Sequence, residues 1–159
     1  MSPTHGLSNL VLPLASKSDT NIELSYVHKQ AKFYGLLNNH RPEIEDLVGF
    51  HMGLNEKVQC LISDCSTWIS GNFNVCIPAF VQGRKDGTQK KVIIRIPLPY
   101  KLGESENAGN VEEKVRCEAA TYIWIRNNCP SVPIPRLWGF GFTGGLCVSD
   151  SSSGLASNV

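Results

Sequence analysis

A small-residue loop and a strand arginine are the residues whose types and spacing could do chemistry. The loop is Ser70-Gly71-Asn72, at the entrance to one apolar strand, and Arg95 stands among apolar residues in the next strand. A glycine there lets backbone amides approach an anion, and a cation on the partner strand can reach the same anion. The pattern is therefore compatible with a phosphate site. The alternative is an ordinary turn beside an arginine that extends to water.

The two strands that position these residues are predicted by alternation. Apolar side chains recur at every second position of the first strand, which is typical of a β-strand: Phe73, Val75, Ile77, Ala79 and Val81. The segment Arg84 to Thr88 contains Asp-Gly, a hairpin turn signal. In the second strand, Val92, Ile94 and Ile96 share one face, and Ile93 and Arg95 share the other.

A helix after the hairpin supplies an acid. Its start is predicted at Asn110 and its end at Asn127-Asn128, and its apolar positions recur at helical spacing. Glu118 borders this apolar stripe rather than opposing it. From the residues alone, it can be an exposed helix acid that pairs with Lys114, four residues earlier.

The remaining chain is predicted as two helices, two strands and two flexible ends. One helix starts at a capping box at Thr20 and runs towards Leu37, and the other runs from Pro42 to Gly53. Strands are predicted within residues 57–67 and 136–142. In the later strand Gly139 and Gly141 leave one face bare for close backbone approach. Residues 1–19 and the Gly- and Ser-rich residues 143–159 are predicted to be flexible.

Composition limits the class of protein. The chain has 159 residues and a formal net charge of +1, which suits one domain and gives no indication of nucleic-acid or membrane binding. The N-terminus lacks the pattern of a signal peptide, so a cytoplasmic protein is expected. The six cysteines form no Cys-x-x-Cys pair and have no histidine at metal-ligand spacing, so we expect reduced thiols and no metal site.

The order of these pieces resembles the small lobe of the protein-kinase-like superfamily. It is most similar to the aminoglycoside phosphotransferase branch, in a form common among uncharacterised fungal proteins. The resemblance covers residues 41–142 and rests on three pieces. They are Ser70 to Asn74, Val92-Ile93-Ile94-Arg95, and Arg116-Cys117-Glu118-Ala119-Ala120 leading to Val132-Pro133-Ile134-Pro135.

The resemblance implies an α+β fold with an antiparallel sheet of about five strands and one long helix packed on it, preceded by N-terminal helices. Residues 1–40 would be an extension, 41–142 the lobe and 143–159 a tail. The implied ligand is ATP, bound weakly. Its implied binding residues are Gly71, Asn72, Phe73 and Asn74 in the lid over the phosphates, Ile93 on the adenine side, Arg95 on the phosphates, and Glu118 orienting Arg95.

The resemblance also implies that the catalytic lobe is absent. The sequence holds no His-Gly-Asp, His-Arg-Asp or Asp-Phe-Gly motif, so we assign no catalytic residue, and magnesium is expected only with a catalytic lobe. The leading interpretation is a nucleotide-binding lobe that is inactive alone. The alternatives are a non-catalytic remnant that self-associates or binds a protein partner, and a small α+β domain unrelated to kinases. Nucleotide binding separates the first from the other two.

Overall fold

The strand with the strongest apolar alternation forms the centre of the fold. The computed structural model describes residues 17–55, 58–82 and 89–149, with side chains from residue 25 onward. The fold is mixed α+β, with three helices and antiparallel sheets. The helices are α1 (Lys17–Asn39), α2 (Arg41–His51) and α3 (Asn110–Asn128). The strands are β1 (Gln59–Ile62), β2 (Ile69–Ser70), β3 (Asn74–Gln82), β4 (Lys90–Pro97), β5 (Gly139–Gly141) and β6 (Cys147–Ser149).

Strand β3 pairs along both of its edges. Strand β4 pairs with it in antiparallel register from Asn74–Pro97 to Val81–Lys90. At the other edge, β1 and β2 pair with successive parts of β3. The predicted β3–β4 hairpin is therefore confirmed as the centre of a four-stranded sheet. Its predicted turn, Arg84 to Thr88, lies outside the described residues.

One face of this sheet makes the hydrophobic core with the N-terminal helices. Four β3 side chains on this face have no exposed surface: Val75, Ile77, Ala79 and Val81. They form one apolar cluster with Leu37 of α1, and α2 packs against that cluster through Ile44 and Val48. On β4, Val92, Ile94 and Ile96 face this core and Ile93 and Arg95 are exposed, as alternation predicts.

Helix α2 also satisfies the backbone of the edge strand β1. Arg41 donates to the carbonyls of Ile62, at 2.6 Å, and Ser63, at 3.1 Å. Glu45 accepts from the backbone N–H of Ile62 at 2.9 Å. An open strand edge offers unpaired backbone groups to other chains, so these side chains protect it. Sequence analysis did not identify this role.

The predicted single sheet of about five strands is corrected by the structure. Strand β5 pairs with β6 in a separate two-stranded sheet. The predicted strand at 136–142 is thus only Gly139–Gly141, and β6 lies within the segment predicted to be a flexible tail. The glycine-rich turn between them, with Gly144 and Gly145 at positive φ, folds the chain back instead of leaving it extended.

The prediction of one long helix packed on the sheet, preceded by N-terminal helices, is not confirmed in that form. Helix α1 has 23 residues and α3 has 19, and the main core lies under α1 and α2. In α3 only Ala119 is buried. Helix α1 begins at Lys17, so Thr20 lies inside it and does not cap it. No described helix is both long enough and apolar enough to cross a membrane.

The start of α3 is capped by a distant carboxylate. The predicted cap, Asn110, is the first helical residue, and its side chain donates to the carbonyl of Leu102 instead. Glu104 accepts from the backbone N–H groups of Gly109, at 2.8 Å, and Val111, at 2.7 Å. These bonds lower the pKa of Glu104, because they favour its charged form. Glu104 thus fixes the position at which α3 begins.

A histidine joins α2 to the β5–β6 hairpin. The Nδ1 atom of His51 lies 2.8 Å from the hydroxyl oxygen of Ser149. A Cβ atom on Gly139 would lie only 2.3 Å from the same Nδ1. The prediction of close approach is therefore confirmed at Gly139, where the approaching group is the His51 ring. Burial of the ring lowers the pKa of His51.

Candidate functional site

The loop between β2 and β3 is closed by its own backbone. The N–H of Gly71 donates to the carbonyl of Asn74 at 2.8 Å, and Lys101 donates to the carbonyl of Gly71 at 3.1 Å. Gly71 is not among the glycines with positive φ, and an added Cβ would meet only the Asn74 carbonyl, at 3.4 Å. The loop therefore does not require glycine at this position. Its shape comes from these two hydrogen bonds.

Two residues at the start of β3 differ in exposure from what the alternation predicts. Phe73 is predicted to share the core face, but it is 51% exposed. The cause is the end of the pairing: β3 begins at Asn74, so Phe73 belongs to the loop. Asn74 lies on the predicted outer face, but it is only 8% exposed because its side chain contacts Glu118 of α3.

The sheet register brings Arg95 to the same face as this loop. Cys76 on β3 is paired with Arg95 on β4, and Asn74 lies two residues before Cys76. Residues two apart on a strand share a face, so Asn74 and Arg95 lie on the face opposite the main core. Helix α3 crosses that face and presents Glu118 to both residues.

Three donors converge on one oxygen of Glu118. Arg95 Nη2 lies 3.4 Å from Glu118 Oε1, and Asn74 Nδ2 lies 3.3 Å from it. Lys114 Nζ, one helical turn away, bonds to the same oxygen. Both interpretations of Glu118 therefore apply, because it pairs with its helix neighbour and with the strand cation.

The surroundings keep Glu118 ionised. Partial burial alone would raise its pKa, but hydrogen bonds from Lys114 and Asn74 and the charge of Arg95 outweigh it. The pKa of Glu118 is therefore below its usual range. At neutral pH these side chains carry two positive charges and one negative charge, so the cluster has a net positive charge.

These side chains line a cavity of about 310 Å3. That volume is near the lower end of the range for small-molecule sites, about 300–1,000 Å3. The lining residues are Gly71, Asn72, Phe73, Asn74, Cys76, Arg95, Lys114 and Glu118. Six of the seven residues implied by the resemblance thus lie around one cavity. Ile93 is the exception, since it is 51% exposed and does not line the cavity.

Sequence analysis missed Lys114 as part of this site. Lys114 was expected only as the partner of an exposed Glu118. The signal was available, because residues four apart on a helix share one face. If Glu118 faces the sheet, Lys114 faces it too. Its side chain also lies beside the Phe73 ring, with Nζ 5.9 Å from the ring centroid.

A second cavity, of about 240 Å3, lies elsewhere on α3. It is formed by the C-terminal half of α3 and the segment before β5, and it is lined by Tyr122, Arg126 and Arg136 among others. Both arginines already interact with other groups. None of the residues implied by the resemblance lines this cavity. An experiment on anion binding at Arg95 and Lys114 must therefore distinguish binding there from binding at this second cavity, which two arginines line.

Neither the side chains that could bind a metal nor comparison with known proteins identifies a ligand or a family for this chain. Among residues 17–55, 58–82 and 89–149, no group of three or more His, Cys, Asp and Glu side chains could hold a metal ion. No protein-family model matches the chain, and no curated protein or solved structure matches it either. The kinase-like resemblance therefore stays a prediction.

Proposed function

We propose that the chain binds the phosphates of a nucleotide such as ATP in the cavity between the β2–β3 loop, β4 and α3. This is the role that the small lobe has in kinase-like phosphotransferases. The observation that carries the proposal is the convergence of Arg95 and Lys114 on one carboxylate oxygen beside that loop.

The hydrogen-bonding capacity of the two cations supports an oxyanion ligand. An arginine has five N–H donors and a lysine has three. Glu118 Oε1 accepts one bond from each, so donors remain on both residues for a ligand in the cavity they line. Arg95 and Lys114 are 19 residues apart in the sequence, and Glu118 holds their charged groups together. Because the two side chains are already positioned, phosphate binding needs less ordering of them.

We expect binding without phosphoryl transfer. Transfer requires carboxylates that hold magnesium and an aspartate that positions the acceptor. Glu118 is the one carboxylate among the described residues that line the cavity, and cations already occupy it. ATP binding should therefore be weak and nearly independent of magnesium, and the chain should hydrolyse or transfer no phosphate on its own.

Calorimetric titration of ATP into the purified protein tests this proposal. Arg95→Met and Lys114→Met should each weaken binding about tenfold or more, because a charge-assisted bond to phosphate is lost. Lys32→Met, at an exposed position on α1, removes the same charge far from the cavity and should leave the affinity unchanged. Chelating magnesium should change the affinity by less than about twofold. Equal affinities for all four proteins would refute the proposal.

A second candidate function is docking of a protein partner on the same face. Three large apolar side chains in this part of the sheet are exposed, and of these Phe73 lines the cavity: Ile69, Phe73 and Ile93. Ile69 pairs with Cys76, so it shares the face of Arg95. Contiguous exposed apolar surface is typical of interaction sites. Light scattering over a dilution series separates a self-associating chain from a monomer.

A further inference from the structure

The outer edge of β4 has no partner strand in the part of the chain that the structure describes. There, β4 pairs with β3 alone, while β1 and β2 pair with the other edge of β3. The two sides of the sheet therefore differ. On the β1 side, Arg41 and Glu45 of α2 bond to the strand backbone. An edge without such bonds offers its N–H and C=O groups to another strand.

The register of the β3–β4 pairing shows which groups of β4 face this edge. The N–H of Leu98 donates to the carbonyl of Phe73 at 2.8 Å, one step beyond the last paired residues of the two strands. In antiparallel pairing, hydrogen-bonded pairs alternate with pairs whose backbone groups point outward. The even-numbered residues of β4 therefore bond to β3. The odd-numbered ones turn their N–H and C=O groups to the open edge, and three of them have an N–H: Lys91, Ile93 and Arg95.

A contact on the far side of β3 gives the same assignment independently. Pro78 is paired with Ile93, and its carbonyl accepts from the N–H of Ser63, next to β1, at 2.8 Å. Pro78 thus points away from β4, so Ile93 points away from β3. No backbone group of the described residues bonds to the outward groups of Ile93 or Arg95. These groups are free to pair with an added strand.

The side chains along this edge indicate the chemistry of that strand. Lys91 and Arg95 lie on the outer face, on either side of Ile93, and all three residues are exposed. The opposite face of β4 extends the core through three half-buried side chains: Val92, Ile94 and Ile96. Neighbouring strands place their side chains next to each other on each face. A complementary strand therefore has acidic residues on the outer face and apolar residues on the core face.

We propose that the free edge of β4 binds an extended segment of another protein in which acidic and apolar residues alternate. Main-chain hydrogen bonds to Ile93 and Arg95 supply affinity, and the alternating side chains supply specificity. A second copy of this chain fits the edge less well. Antiparallel pairing of two β4 strands brings the cations of one copy beside those of the other, and like charges repel. The inference does not depend on nucleotide binding.

Amide hydrogen exchange measured by NMR tests the proposal on the whole chain. In the free protein, the amides of Ile94 and Ile96 should be protected, and those of Ile93 and Arg95 should exchange rapidly. The probe is an acetylated and amidated octapeptide of four Val-Glu repeats. At saturation it should slow exchange at Ile93 and Arg95 about tenfold or more, because both amides become hydrogen-bonded. The matching peptide of four Val-Lys repeats should leave their exchange unchanged.

Reversing the charge of one edge residue tests the acidic preference. Lys91→Glu keeps the backbone groups of β4, and Lys91 does not line the cavity of Arg95 and Lys114. The variant should bind the Val-Glu peptide about threefold or more weakly and should bind the Val-Lys peptide better. Lys32→Glu, at an exposed position of α1, makes the same charge change away from the edge and should keep the original preference.

Four results would overturn the inference, and none of them bears on ATP binding. Slow exchange at Ile93 and Arg95 in the free, dilute protein would show that the edge is covered. Protection of these amides that grows with protein concentration would assign the edge to a second copy. Binding of the Val-Glu peptide without a change at these amides would place it elsewhere. The absence of any binding would show that the edge does not accept such a strand.

Discussion

Arg95 on β4 and Glu118 on α3 are joined by an ion pair, with 3.4 Å between Nη2 and Oε1. The two residues are separated by an irregular connection and half of α3. The pair therefore fixes the position of the helix relative to the sheet at the point where the candidate cavity opens. The side chains of Arg95 and Glu118 are 43% and 34% exposed, so water screens their attraction.

Glu118→Gln should lower the free energy of unfolding by about 1 kcal/mol or less at neutral pH, as expected for a partly exposed pair. The folded pKa of Glu118 lies below the ordinary 4.5. Its contribution is thus present above pH 4.5 and is lost as pH falls through the folded pKa. Urea denaturation should show the difference between the two proteins shrinking at acidic pH. Glu113→Gln, on the exposed side of α3, is the control, and a pH-independent difference would contradict the prediction.

Two glycine substitutions should have opposite outcomes. Gly139→Ala places a Cβ 2.3 Å from His51 Nδ1, and the ring is held by Ser149, so we expect a loss of about 1–3 kcal/mol of stability. Gly71→Ala meets only one carbonyl, at 3.4 Å, so it should change stability by less than about 1 kcal/mol. Thermal or urea denaturation measures both. A larger loss for Gly71→Ala would mean that the loop needs its glycine.

Stability should depend on the protonation of His51. Its folded pKa is lowered by burial, so between that value and 6.5 the unfolded chain binds more protons than the folded chain. The free energy of unfolding should therefore rise with pH up to about 6.5 and be level above it. In His51→Gln this contribution should be absent. Urea denaturation at about pH 5.5 and pH 7.5 compares the two proteins, and identical pH profiles would contradict the prediction.

Cysteine reactivity should separate the buried thiol from the exposed ones. Burial, together with the charge of Glu45, raises the pKa of Cys60 to about 11. The thiolate is the reactive form, so Cys60 should react with iodoacetamide far more slowly than Cys65, Cys117 and Cys147, which are exposed. Mass spectrometry of partly alkylated protein gives the order. Denaturant should remove the difference, and early modification of Cys60 in the folded protein would show that β1 opens.

Some features could be predicted because they depend on local pattern. Alternation identified the two faces of β4, and the bare strand at Gly139 indicated close backbone approach. The pair of Arg95 and Glu118 could be predicted from a strand cation and an acid at the border of an apolar stripe. The order of elements in the family that the chain resembles guided this prediction.

Other features depend on which elements meet in three dimensions. The burial of Asn74 comes from α3, which covers the outer face of the sheet there, and alternation does not show which element covers a face. Lys114 was not predicted as a site residue because two contacts of Glu118 were taken to exclude each other. One is its pairing with Lys114, and the other is its contact with the sheet. Strand β6 has a Cys-Val-Ser sequence with little strand signal, and it forms by pairing with β5. The capping of α3 by Glu104 requires a turn that no sequence spacing rule describes.

The central claim is that phosphate binds beside Arg95, and amide chemical-shift mapping with added ATP tests it most directly. We expect the largest shifts at the backbone amides of residues 71–74, Arg95, Lys114 and Glu118, and we expect Arg95→Met to raise the ATP concentration that gives half of the change about tenfold or more. Shifts confined to the other cavity, around Arg126 and Arg136, would contradict the claim, and so would the absence of any shift at saturating ATP.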